Sequence, residues 1–128
     1  MNIIKIYSIN DTLNMKNSFE LYDLRIELTR FENGKCMTDW AKIWDYFEVR
    51  GENIFIPEGK GFSYYNLAAI IPLLSMKQRV TNHQNDWIEH DDEISAPDFN
   101  CWAIFKIIRM SKRTFFTENT SWTYQSNV

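Results

Sequence analysis

The chain has 128 residues, enough for one domain and too few for two independent cores. It is 45% hydrophobic and 16% aromatic, which excludes a disordered chain of low hydrophobicity and points to a compact, aromatic-rich core. Its formal charge of -3 is slight and its basic residues are scattered apart from Lys112-Arg113, so no overall field draws in nucleic acid or an anionic membrane.

Residues 1–18 read as a separate lead-in. Met15 is a second candidate start beside Met1, and Asn10, Asp11, Asn14 and Asn17 make the segment prone to turns. Ile4 and Ile6, alternating with Lys5 and Tyr7, suit a short edge strand. The opening MNIIKIYSIN lacks a sustained apolar region and a small-residue cleavage site. No apolar run approaches the roughly 20 residues that span a bilayer. These features lead to the expectation of a cytoplasmic protein with no membrane partner. In a reducing compartment Cys36 and Cys101 are expected as free thiols.

The first firm element is YDLRIELTRF, residues 22–31. Tyr22, Leu24, Ile26 and Leu28 alternate with Asp23, Arg25, Glu27 and Thr29, the period of a half-buried strand. Asn33-Gly34 then turns the chain. WDYFEVR, residues 44–50, alternates again, and Gly51-Glu52-Asn53 turns into the short strand Ile54-Phe55-Ile56, closed by Pro57. After the loop PEGKGFS comes YYNLAAIIPLLSMKQ, residues 64–78. This is apolar at nearly every position, so a helix buried on most sides is expected. Pro72 lacks an amide donor and predicts a kink or a break there.

Residues 79–100 are polar and read as irregular. CWAIFKIIRM, residues 101–110, is apolar on both faces at its start and reads as a central strand. From Ser111 the chain reads as a tail rich in Ser, Thr and Asn. Its Phe115, Phe116, Trp122 and Tyr124 suit an edge strand folded back on the domain or on a second copy. The order strand, strand, strand, helix, strand predicts one α+β domain over residues 19–110, flanked by the lead-in and by the tail 111–128. Its sheet is small and mostly antiparallel, with one principal, Pro-kinked helix packed on it.

PEGKGFS raises the question of a phosphate cradle. Gly59-Lys60-Gly61 has no earlier glycine at Walker spacing, and Phe62 separates it from Ser63. A turn feeding a helix is the simpler reading, with Ser63 as the cap and Lys60 near the helix terminus, where amides can meet an anion. DWIEHDDE, residues 86–93, gathers Asp86, Glu89, Asp91, Asp92 and Glu93 around His90, with His83 nearby. It lacks calcium-loop and zinc-helix spacing, so it reads as a solvated acidic face pinned by Trp87 and Ile88. No metal and no cofactor are expected. Cys36 has only His83 and His90 as candidate bases, and no serine stands in a nucleophile elbow.

YDLRIEL, NGKC, DYFEV, IFIPEG, NLAAIIPLLSMKQR and DWIEHDDEISAPDF with WAIFKIIRM together resemble a small bacterial and archaeal family known only as an uncharacterised repeat protein. The likeness spans roughly Leu21 to Met110. It implies a domain that occurs singly or in tandem, and no established activity. Where the family has Cys-x-x-Gly-His, this chain has Cys36-Met37-Thr38-Asp39-Trp40, so the histidine is absent. Where the family has Cys-Pro-Asp-Pro, this chain has Ala96-Pro97-Asp98-Phe99. Cys36 alone remains of the family's thiols, which lowers the expectation of thiol chemistry.

The leading expectation is a non-catalytic binding or accessory module for a small ligand or a partner protein, with Lys60, Tyr64, Trp87, His90 and Asp92 as candidate ligand-binding residues. The alternative is a small enzyme. Its acid–base site would lie between Lys60 and Tyr64 at the helix N-terminus and His90 and Asp92 in the acidic loop. Self-assembly, as a homodimer, is the third.

Overall fold

The computed structural model describes residues 17–32, 40–81, 86–97 and 101–116. The expected edge strand around Ile4 and Ile6, the Asn33-Gly34 turn, Cys36, His83, Trp122 and Tyr124 lie outside the described residues. Five strands form one sheet in the order β3-β2-β1-β5-β4, and every neighbouring pair is antiparallel. They are β1 (Ser18–Phe31), β2 (Tyr46–Arg50), β3 (Asn53–Phe55), β4 (Glu93–Ala96) and β5 (Ala103–Phe116). Among the described residues two helices lie between β3 and β4: α1 (Tyr64–Gln78) and the single turn α2 (Trp87–His90). This is the expected α+β class with one principal helix.

The frame is the pairing of β1 with β5, each 14 residues long, running from Ser18↔Phe116 to Phe31↔Ala103. Alternation sorts their side chains. Leu24, Ile26 and Leu28 on β1 meet Phe47 and Val49 on β2 and Phe105 and Ile107 on β5, and α1 lays Ile70 and Leu74 over them. Phe62 closes this core edge-on, its ring 5.2 Å from Phe47 and 6.1 Å from Phe105. Fully burying a side chain such as Phe47 or Phe105 is worth about 1.5–3 kcal/mol. The opposite face is polar: Arg25 pairs with Glu27 at 2.9 Å and lies 3.6 Å from the Tyr46 ring centroid. One helix-covered face and one solvated face make a two-layer domain.

Several boundaries differ from the sequence reading. β1 begins four residues before Tyr22, and a register shift between Tyr22 and Leu24 turns Asp23 inward, where Arg113 Nε bonds it at 2.8 Å. β5 continues past Met110 to Phe116, so Ser111–Phe116 belongs to the sheet instead of to a tail. Phe115 stacks on Phe19 at 5.4 Å. The segment read as irregular supplies both α2 and β4, because short elements set by long-range pairing leave little local periodicity.

The helix spans the expected residues without a break. Pro72 lies inside it with its side chain exposed. The carbonyl Pro72 cannot serve belongs to Ala68, which is also exposed, so water can take the lost bond. α1 is not buried on most sides. Tyr64, Tyr65, Ala68, Ala69, Ile71 and Pro72 face outward, and burial is confined to Asn66, Ile70, Leu74, Lys77 and Gln78. No described helix is long and apolar enough to cross a membrane.

Cys101 overturns the free-thiol expectation. It is disulfide-bonded and buried, and the sequence contains one other cysteine, Cys36. That expectation rested on an assumed reducing compartment, not on any feature of the residues themselves.

The exposed proline gives a direct check on α1. Pro72→Ala restores a helix-interior donor and removes the ring clash, so unfolding by denaturant is expected to show a gain of about 1–3 kcal/mol. A loss of stability would mean that Pro72 makes a packing contact.

Candidate functional site

PEGKGFS is a turn. Lys60 N donates to Pro57 O at 3.1 Å, and Gly59 takes φ 79° at the third position, the backbone a type II turn requires. Lys60 Nζ lies 3.3 Å from Asp45 Oδ1, whose carboxylate also accepts from Lys42 N at 2.9 Å. The lysine therefore ties the loop to the segment before β2 and has its own anion. Ser63 does hold the N-cap position, and its carbonyl accepts from Leu67 N at 3.0 Å. Its side chain makes no capping bond, so the expected hydroxyl cap is corrected to a backbone one.

The side-chain cap is elsewhere, at Asp86, whose carboxylate accepts from Ile88 N at 3.1 Å and opens α2. Lys77 closes that helix from below: its buried ammonium donates to Ile88 O and Asp91 O. Burial pushes the Lys77 pKa below its ordinary value, and neighbouring Arg109 pushes the same way. Glu89 accepts from Thr81 Oγ1 and from Arg109 Nη1 at 3.2 Å, and the Thr81 bond, ahead of Arg109, holds its carboxyl below the usual range. Asp92 gives its carbonyl to Ile107 N at 2.6 Å, and its carboxylate stands 3.9 Å from Lys106 Nζ. These acids are structural members of a cation-centred cluster. Among the described residues no group of three or more His, Cys, Asp or Glu gathers as a metal site.

The expected site residues do not converge. Trp87 and Asp92 neighbour Lys77, in the last turn of α1, and His90 is the last residue of α2. Tyr64 opens α1, about 20 Å from Lys77 at a rise of roughly 1.5 Å per residue, and Lys60 stands in the loop before it.

Exposed aromatic residues lie near Lys60 and Tyr64: Trp40 through its contact with Gly61, Tyr65 beside Tyr64, and Trp44 next in the chain to Asp45, the partner of Lys60. Trp40 is 68% exposed and its ring covers Gly61, where a Cβ would come within 3.6 Å of the indole. Tyr64 and Tyr65, 70% and 55% exposed, hold their ring centroids 4.2 Å apart. Trp44 is 65% exposed and has φ 75°.

The backbone around Trp44 explains that angle. Trp44 N donates to Leu28 O at 2.7 Å, while Leu28 N donates to Asp45 O at 2.8 Å, so two residues oppose one. Asp45 N also closes a turn onto Lys42 O at 2.9 Å. This is a bulge of the kind whose first residue is ordinarily glycine in the left-handed region. A tryptophan in that position carries strain on the order of 1–3 kcal/mol. Sequence reasoning missed it because Trp44 looks like the first residue of an alternating strand, and only its pairing with Leu28 reveals the bulge.

No family model matches the chain, and no curated protein or solved structure matches it.

Proposed function

We propose that the protein is a non-catalytic binding module that docks a partner protein on the aromatic face of Trp40, Trp44, Tyr64 and Tyr65. The observation that carries this reading is Trp44. A bulky residue held at positive φ costs stability, and here the cost is not offset by burial, because the indole faces solvent. Exposed tryptophan and tyrosine are the side chains that dominate protein interfaces when a partner covers them. The acid–base alternative loses its support with the separation of Lys60 and Tyr64 from His90 and Asp92. Homodimerisation has one observation in its favour, the exposed Ile54 and Phe55 on edge strand β3. That strand is three residues long, and the Arg50 guanidinium lies 4.1 Å from the Phe55 ring centroid, both of which blunt the edge.

The disulfide at Cys101 supports an oxidising compartment in place of the cytoplasm expected from the sequence. Alkylation of the unreduced native protein, followed by mass spectrometry, is expected to label neither cysteine. Two labelled thiols would return the chain to a reducing compartment.

The binding reading is tested by Trp44→Gly. Glycine relieves the positive φ, so stability is expected to hold or to rise by up to about 1 kcal/mol, while capture of a partner on the purified protein is lost. A destabilisation beyond about 1 kcal/mol would make the indole a packing residue and remove the main support for the aromatic face.

A further inference from the structure

At the opposite end of α1, independent of the aromatic face, a half-open cleft of about 470 Å³ lies between three elements. Phe19 and Leu21 of β1 form its apolar floor. Gly51 and Glu52 of the β2–β3 turn form one rim, and Ser75, Gln78 and Arg79 of α1 and its C-terminal end form the other. Its size suits a small molecule.

The polar groups of this cleft are arranged asymmetrically. Gln78 is only 8% exposed, and its Nε2 donates to Gly51 O at 2.8 Å, which fixes the amide. Gln78 lines the cleft, and among the described residues no donor meets its Oε1. Arg79 and Glu52 line the same cleft, and neither forms an ion pair with the other or with another described residue.

The backbone that carries them is held in place. Arg79 N bonds Met76 O at 3.2 Å, Arg79 O accepts from Arg109 Nη2 at 3.2 Å, and Arg79 bridges to Leu21. The two-residue turn Gly51-Glu52 has Gly51 at φ 60° with the Phe115 ring against its Cα, so a side chain there would be both strained and crowded. Little reorganisation is needed for a ligand to find these groups aligned.

We propose that this cleft binds a small zwitterion with an apolar side chain, of the free α-amino acid class. Its carboxylate meets the Arg79 guanidinium in the planar geometry that pair favours. Its ammonium donates to the Glu52 carboxylate and to Gln78 Oε1. Its side chain lies on Phe19 and Leu21. Because one anion and one cation flank the same cleft, a ligand with both charges is matched, whereas a simple anion leaves Glu52 opposed and a simple cation leaves Arg79 opposed.

The test is calorimetric titration of the full chain with L-leucine, N-acetyl-L-leucine and L-leucinamide, alongside amide-resolved NMR. L-leucine is expected to bind saturably and to shift the amides of Leu21, Glu52 and Arg79. The two derivatives, each missing one charge, are expected to bind about tenfold more weakly or worse. In Glu52→Gln the discrimination against the N-acetyl form disappears, and in Arg79→Gln the discrimination against the amide disappears. Both residues are exposed, so unchanged melting temperatures are expected to show that the variants fold. Equal affinity for all three compounds, shifts confined to another surface, or no saturable binding of L-leucine would each overturn the proposal.

Discussion

The Arg109 guanidinium is the constraint on which one whole end of the molecule depends. It reaches from β5 to Lys77 O at 2.8 Å, Arg79 O at 3.2 Å, Thr81 Oγ1 at 3.0 Å and Glu89 Oε1 at 3.2 Å, with the Tyr22 ring centroid 4.8 Å away. Helix C-termini leave carbonyls without intrahelical donors, and α1 has no glycine to fold a capping turn over them: Arg79 leaves the helix extended, at φ -72° and ψ 146°. The fork of donors that a capping motif would supply comes instead from a strand. Lys77 repeats the device one layer out by bonding the last carbonyls of α2. Two cations so close repel each other, which is one reason the Lys77 pKa falls, and Glu89 supplies the anion the pair needs. The cluster thus bonds α2 to the end of α1 and holds the Arg79 carbonyl beside the Gln78 cleft.

The two ends of α1 therefore differ in physical character. The C-terminal end is cross-bonded and preorganised, while exposed Tyr64 and Tyr65 open the N-terminal end and Trp44, next to the Asp45 that holds Lys60, sits on a strained bulge. The sheet between them makes that strain tolerable, because the β1–β5 ladder and the core it carries are continuous. A second local cost sits in the same layer. Asn66 is buried and donates through Nδ2 to Cys101 Sγ at 3.3 Å, and its Oδ1 has no partner among the described residues. A buried acceptor left unpaired costs about 1–3 kcal/mol, so the asparagine and the disulfide sulfur it touches are retained at some expense.

The parts legible in the sequence were those written in short-range periodicity. The alternation of Leu24, Ile26 and Leu28 marked β1, and the run from Tyr64 to Gln78 marked α1 to the residue, although its outward face was misjudged because apolar composition alone does not reveal which side a helix buries. What depended on distant partners was not legible. β4 is four residues whose identity as a strand comes from Phe105 and its neighbours. Ser63 looked like a cap and lacks the bond, whereas Asp86 looked like part of an acidic run and makes it. Trp44 carried no local sign of its bulge. The candidate site followed the same division. Lys60 and Tyr64 stand near the exposed aromatics, but Trp44 reads as the start of an alternating strand and nothing in the sequence marks Trp40 as exposed.

Amide hydrogen exchange on Arg109→Lys tests the central role of the guanidinium most directly. Lysine keeps the charge and loses the fork, so it can serve one of these acceptors at a time. Protection is predicted to fall at Arg79 and across Trp87–Asp91 while the amides of Ile26 and Leu28, deep in the β1–β5 ladder, keep theirs. Unchanged protection around α2, or an even loss over the whole sheet, would contradict the assignment of that end of the fold to Arg109.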